Sequence, residues 1–192
     1  MRGSRLWVAP RRRFAAVIQL RRLAALGVLL LAVPVLAADT GGVTCEIREN
    51  GQAGSGTIVV LQGETEVGRG SCGKALALPP GDFTAVLSLD GALDGPEQRQ
   101  SFSTQANKTA KVSADFATGL LEVRIRSQGR DTAGMAVIRK AGQQIGTLGS
   151  GVAAHLSVGN YQIVARYRTQ QKAYEDVQIK QGERTLLEAS FE

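Results

Sequence analysis

Leu78-Pro79-Pro80-Gly81-Asp82-Phe83-Thr84-Ala85-Val86 returns 78 positions later as Leu156-Ser157-Val158-Gly159-Asn160-Tyr161-Gln162-Ile163-Val164. In each copy a glycine followed by Asp or Asn makes a turn, because glycine adopts backbone shapes that other residues resist. An aromatic residue then opens an alternating apolar run. The runs are Phe83, Ala85, Leu87, Leu89 and Tyr161, Ile163, Ala165, Tyr167. A period of two is the mark of a half-buried strand.

The repeat extends well beyond this stretch. Residues 41–90 lie over 119–168 without a gap. Gly41, Ile47, Arg48, Gly51, Gly56, Val59, Gly68, Gly73, Ala75, Leu78, Gly81 and Val86 all meet identical residues. Half of these are glycines, so the punctuation repeats along with the apolar pattern. The first copy then carries three extra residues around Gly91 to Gly95, and the register resumes at an offset of 75. Ala110, Val112, Ala114, Phe116 falls over Thr185, Leu187, Ala189, Phe191.

Each copy yields about seven short strands. In the first they are expected near 43–48, 57–62, 65–69, 74–78, 82–90, 98–104 and 109–116. In the second they are expected near 120–126, 134–140, 143–147, 152–156, 160–168, 172–179 and 184–191. Short, evenly spaced strands argue for an antiparallel sandwich. The expected fold class is all-β: two tandem antiparallel β-sandwich domains, 38–118 and 119–192, behind a targeting segment, 1–37. Thr118-Gly119 is their short junction. Gly81 and Gly159 are expected in strained turns, with Phe83 and Tyr161 pointing inward.

Residues 1–37 hold seven arginines and no acid, and Leu23 to Leu36 is apolar but for Gly27 and Pro34. Val35-Leu36-Ala37 then supplies small residues for cleavage before Ala38 or Asp39. A charged start, a short apolar core and a small-residue site make a secretory signal. The core falls short of the roughly 20 residues that span a bilayer. Cleaved export to the periplasm or cell surface is expected, with an inner-membrane anchor at 23–36 as the alternative. Arg11-Arg12-Arg13-Phe14 resembles a twin-arginine signal, so the export route stays open.

The leader also accounts for the chain's basic character. The full chain has 23 basic and 17 acidic residues, and the leader takes seven of the former. The remainder carries 16 against 17, so the high isoelectric point is no nucleic-acid footprint. Charge nevertheless divides unevenly. Residues 39–118 hold six basic and ten acidic residues, and 119–192 hold ten and seven.

Cys45 and Cys72 are the only cysteines. Exported proteins commonly pair such residues, and closing this loop would stabilise by about 3 kcal/mol in the chain-entropy model. A buried thiol at Cys45 and an unrelated one at Cys72 is the alternative. Arg124 with Arg126, and Arg166 with Arg168, each share the solvent side of a strand. If those strands lie in one sheet, four guanidinium groups form a patch for an anionic partner. His155 alternates with Ala154 and Leu156 and so points away from the apolar side. As the sole histidine it would have to serve any triad or histidine-based zinc site, and zinc wants about four ligands. Gly68-Arg69-Gly70-Ser71-Cys72-Gly73-Lys74-Ala75 nearly spells a phosphate-binding loop. It has Ala75 where Ser or Thr should hold magnesium, and Pro79-Pro80-Gly81 leaves no room for the following helix. No catalytic, cofactor or metal residue is expected.

The order of features in the second copy resembles a known group. Gly134-Met135-Ala136-Val137 opens a strand. Gly142-Gln143-Gln144-Ile145-Gly146 makes a turn. Leu156-Ser157-Val158-Gly159-Asn160-Tyr161 follows, and Gly182-Glu183-Arg184-Thr185 leads the last strand. This resembles the carboxypeptidase-regulatory-like and PEGA-type domains of bacterial exported proteins, although the tetrapeptide that names PEGA domains is absent. The resemblance implies small prealbumin-like or immunoglobulin-like sandwiches that act as accessory modules without catalysis. It also implies a partner that is another extracytoplasmic or membrane protein, such as one with a von Willebrand A-type domain. Two functions are therefore expected as alternatives. One is a non-enzymatic interaction module. The other is a binding protein or sensor for a small anionic ligand, lipid headgroup or polysaccharide on the basic second domain. No nucleic acid is expected, and membrane contact only through an uncleaved leader.

Overall fold

The computed structural model describes residues 40–192; the expected leader, its cleavage point and its alternative as an anchor lie outside the described residues. The first half contains β1 (Gly41–Glu49), β2 (Gln52–Ala53), β3 (Gly56–Gln62), β4 (Thr65–Ser71), β5 (Leu76–Leu78), β6 (Gly81–Leu89), β7 (Glu97–Thr104) and β8 (Thr109–Phe116). The second contains β9 (Thr118–Ser127), β10 (Arg130–Asp131), β11 (Met135–Lys140), β12 (Gln143–Gly149), β13 (Ala153–Ser157), β14 (Gly159–Tyr167), β15 (Gln170–Ile179) and β16 (Arg184–Phe191). All fourteen expected strands are present, each end within two residues of its expected place. The two additions, β2 and β10, fold back on β1 and β9 through two-residue turns. Both central residues of each turn have positive φ: Asn50 (54°) with Gly51 (79°), and Gln128 (51°) with Gly129 (77°). That turn matches the right-handed twist of a hairpin.

Each half is two four-stranded sheets. In the first, β1 pairs with β2 and β5 on one side and with β8 on the other, while the facing sheet runs β4-β3-β6-β7. The second half repeats this with β9 beside β10, β13 and β16, and with β12-β11-β14-β15. The pairing is antiparallel except between the first and last strand of each half, β1 with β8 and β9 with β16. This is an all-β, immunoglobulin-like sandwich architecture. The open edge of β8 is closed by side chains of β7. Gln98 Nε2 donates to the Asp115 carbonyl at 2.8 Å, and the Ser113 amide donates to Gln100 Oε1 at 3.3 Å.

Alternation sends one side of every strand inward. Val43, Ile47, Ile58, Val60, Phe83, Leu87 and Phe116 belong to the first buried cluster; Val123, Ile125, Ile138, Tyr161, Ile163 and Phe191 belong to the second. Phe83 and Tyr161 are both buried, at 4% and 2% exposure. Each lies two residues past a glycine that a side chain would strain: φ is +155° at Gly81 and +151° at Gly159. The cysteines are bonded, Cys45 to Cys72, tying β1 to the turn after β4.

Candidate functional site

The features that could carry function lie at the seam between the halves and on the outer faces of the sheets. The seam begins with the three-residue insertion. Between β6 and β7 the chain turns through Gly91 and Gly95, both at positive φ. Ala92 forms a parallel bridge to His155 of β13, and the Leu93 amide donates to the His155 carbonyl at 2.8 Å. The Leu93 side chain then packs against the second half's core. It sits directly over Gly146, where an added Cβ would come within 2.6 Å of it.

Asp94 follows, with a side chain only 4% exposed. Its Oδ1 accepts from the Ser157 amide at 3.0 Å, and its Oδ2 accepts from Lys140 Nζ at 2.9 Å. The Tyr161 hydroxyl lies 2.9 Å from the same Oδ2 and 2.8 Å from the Ser157 carbonyl, with one proton for the two acceptors. Burial pushes the Asp94 carboxyl up, but the hydrogen bonds from Ser157, Lys140 and Tyr161 outweigh it and hold it below its ordinary value. Burial likewise pulls Lys140 down, and its hydrogen bonds to Asp94 and Tyr161 bring it above its ordinary value. Asp94 and Lys140 are therefore a charged pair at neutral pH. Tyr161 is pushed up to about 12, chiefly by burial, with Lys140 opposing and Asp94 adding to the rise.

A second contact lies across the junction. Asn50 grips the backbone of Thr118: its Nδ2 donates to the Thr118 carbonyl at 3.0 Å and its Oδ1 accepts from the Thr118 amide at 2.9 Å. The Thr118 hydroxyl donates to Glu49 Oε1 at 2.5 Å, and His155 Nδ1 lies 2.8 Å from the same oxygen. The junction is thus not a linker. Thr118 is fully buried and is the first residue of β9.

The expected cluster of four arginines does not form. Arg124 and Arg126 lie on β9, whereas Arg166 lies on β14 and Arg168 in the turn beyond it, and β9 and β14 belong to different sheets. The outer sides of two facing sheets point in opposite directions. Arg124 is also neutralised by buried Glu122 at 2.6 Å, which Arg184 pairs with too, and Arg126 pairs with Asp131 at 3.2 Å. The near-match to a phosphate loop is β4 and its following turn. The amide of Gly73, which an anion would need, donates instead to the Cys45 carbonyl at 2.9 Å. His155 is half exposed on β13 and engaged with Glu49. Among the described residues no group of three His, Cys, Asp or Glu could hold a metal.

Leu93, Asp94, Lys140, Glu49 and Asn50 were not singled out from the sequence. The available signal was the insertion itself, an Asp bounded by glycines in one repeat alone. The pair Asn50-Gly51 was a second signal, since it marks a tight hairpin.

No family model matches the chain, and no curated protein matches it. Solved structures do show a likeness. The TIE protein of Bacillus anthracis is 13% identical with a TM-score of 0.38, over 80% of this chain and 34% of that one. The chain thus spans about a third of that protein's length. GBS52, the minor pilin of Streptococcus agalactiae, is 10% identical with a TM-score of 0.37, over 78% of this chain and 94% of that one. The shaft pilin SpaA of Lactobacillus rhamnosus GG is 9% identical with a TM-score of 0.36, over 80% and 99% of the two chains.

Proposed function

We propose that the chain is an exported, non-catalytic interaction module of the periplasm or cell surface, in which two sandwiches are presented as one rigid body. The observation that carries this is Asp94. Burying a carboxylate at a junction costs desolvation, and the hydrogen bonds that offset it hold only in one geometry. Leu93 and Asn50 constrain the same geometry from apolar and backbone contacts. Such a seam keeps the outer faces of both halves at a set angle, which suits a module that engages or spaces other proteins.

Two further observations support the reading. The groups that chemistry would need are occupied in the seam, His155 by Glu49 and Asp94 by Lys140 and Tyr161. The Cys45–Cys72 bond fits an oxidising compartment, in agreement with the leader read from residues 1–37. The carboxypeptidase-regulatory-like and PEGA-type resemblance is compatible with this role, and an extracytoplasmic or membrane protein is the proposed partner.

Backbone relaxation by NMR on protein recovered after export tests the reading. The two halves should share one rotational correlation time, and Asp94→Ala should let them diverge. Independent tumbling in the unaltered protein, or an intact leader and free thiols in the cytoplasm, would sink it.

A further inference from the structure

On the outer side of the β12-β11-β14-β15 sheet, Val137 and Val164 form a cross-strand pair. They are 3% and 9% exposed, yet neither belongs to the second half's core cluster, whose inward residues are their neighbours Ala136, Ile138, Ile163 and Ala165. Alternation places Met135, Arg139, Gln162 and Arg166 on this same outer side, with Met135 opposite Arg166 and Arg139 opposite Gln162. Met135 is 48% exposed. The result is a sheet face whose valines are covered by neighbouring side chains, with Met135 as the exposed apolar residue and one arginine at each of two diagonal corners.

Neither arginine has an ion-pair partner among the described residues, and the Nε of Arg139 is buried without any hydrogen-bond partner. Glu175 of β15 accepts from Gln162 Nε2 at 2.6 Å on this face. The first half carries the same valine pair in a more acidic setting. There Val59 pairs with Val86, and the arginines beside them in register are Arg69 and Arg99. Arg69 is bonded through two nitrogens to Glu66, and Asp82 and Glu97 lie on the same side. The valine pair is common to both halves; the first half sets Glu66, Asp82 and Glu97 around it, and the second sets Glu175, which Gln162 engages.

We propose that the outer face of the β12-β11-β14-β15 sheet docks a protein partner that presents carboxylates to Arg139 and Arg166 and an apolar side chain to Met135. The proposal rests on the interaction-module reading and names the surface and the chemistry of its partner. Charge complementarity selects the occupant. Two unpaired guanidinium forks suit carboxylates, which they bind through two parallel hydrogen bonds. An exposed Met flanked by Arg matches the residue types enriched in protein–protein interfaces. Among the described residues no aromatic ring lies on the face to stack against a sugar. The face carries two arginines on a sheet, whereas an anionic lipid surface is met by clusters of about four to eight Lys or Arg.

The probes are a short synthetic peptide alternating Glu with Val and the same peptide with Gln for Glu, titrated into the exported protein with NMR readout. The Glu peptide should shift the amides of Met135–Lys140 and Gly159–Tyr167, and the Gln peptide should not. Arg139→Gln and Arg166→Gln should each weaken binding about tenfold, and Arg69→Gln should leave it unchanged. The arginines substituted are on an outer face, so an unaltered spectrum elsewhere checks folding. Equal binding of the Gln peptide, failure of the Glu peptide to bind, or phosphatidylglycerol vesicles shifting these residues in its place would overturn the proposal. Shifts confined to other strands overturn this face and leave the interaction module standing. Independent tumbling of the halves would sink the module itself.

Discussion

The two halves share a skeleton to the level of single hydrogen bonds and differ in how each is fastened. The Gly73 amide donates to the Cys45 carbonyl at 2.9 Å, and the Gly151 amide donates to the Val123 carbonyl at 2.8 Å. The Cys72 amide reaches the Gly56 carbonyl and the Ser150 amide the Gly134 carbonyl, again at equivalent positions. Into this common frame the first half places a disulfide. The second places Ser150, whose Oγ accepts from the Ile125 amide at 2.9 Å. The central aromatic differs in the same way. Phe83 meets Phe102, while Tyr161 carries a hydroxyl that reaches Asp94. Backbone geometry has been kept where it makes the sandwich. Side chains have diverged where one half is braced internally and the other is braced by its neighbour.

The largest effect should come from deleting the central ring. Tyr161→Ala should cost about 3–5 kcal/mol, by analogy with deletions of buried aromatics. That is comparable to the whole stability of a small domain. Phe83→Ala should cost a similar amount in the first half. Hydrogen exchange resolves the comparison. Tyr161→Ala should strip protection from β11 and β14 and from residues 90–95, since Leu93 and Asp94 lean on that core. Phe83→Ala should leave β11 and β14 protected. Uniform loss in both variants would mean that the two clusters unfold as one.

That asymmetry also marks where sequence reading stops. The strands were readable because glycine turns and period-two alternation are local signals. The seam was not readable: Leu93 and Asp94 lie in what looks like a gap in the register, and nothing local says that an Asp will be buried against another repeat. The arginine cluster failed for a related reason. Alternation shows that Arg124 and Arg166 face outward, but not that β9 and β14 lie in different sheets.

The disulfide gives the next effect. Replacing Cys45 and Cys72 together by Ser should cost about 3 kcal/mol in the chain-entropy model. The shared backbone also predicts the converse. Val123→Cys with Ser150→Cys should form a bond in the second half and stabilise it by a similar amount. Denaturant melts with and without reductant measure both. Failure of the second pair to oxidise would show that the frames match in hydrogen bonds but not in side-chain direction.

Leu93→Ala comes third. The residue belongs to the first half by sequence, yet the loss should appear in the second. The ordinary range for deleting a core leucine is about 2–5 kcal/mol, and its partial burial puts it near 2. Reduced protection at Gly146 and Leu148 without change at Val60 is the expected pattern. A loss confined to β6 and β7 would mean that the insertion only caps its own hairpin.

Tyr161→Phe makes the second half copy the first at its centre, and should have the smallest effect. It removes one hydrogen bond to a buried carboxylate, which is worth about 1–3 kcal/mol. Its pH dependence is the sharper test. Asp94 is held below its ordinary value, so its contribution is present above the ordinary carboxylate range and is lost as pH falls through the lowered value. That acid limb should persist in the variant, weakened by the missing donor. Tyr161 is raised to about 12, so its contribution is complete below pH 10, its ordinary value, and is lost as pH climbs towards 12. The difference in urea midpoint between the protein and the variant should therefore stay level from pH 6 to 9 and shrink between 10 and 12. Lys140 weakens the seam in the same alkaline range, but it does so in both proteins and drops out of the difference to first order. A gap that stays level through pH 12 would show that the hydroxyl has no proton-dependent part in the seam, leaving Lys140 and the Ser157 amide to hold Asp94.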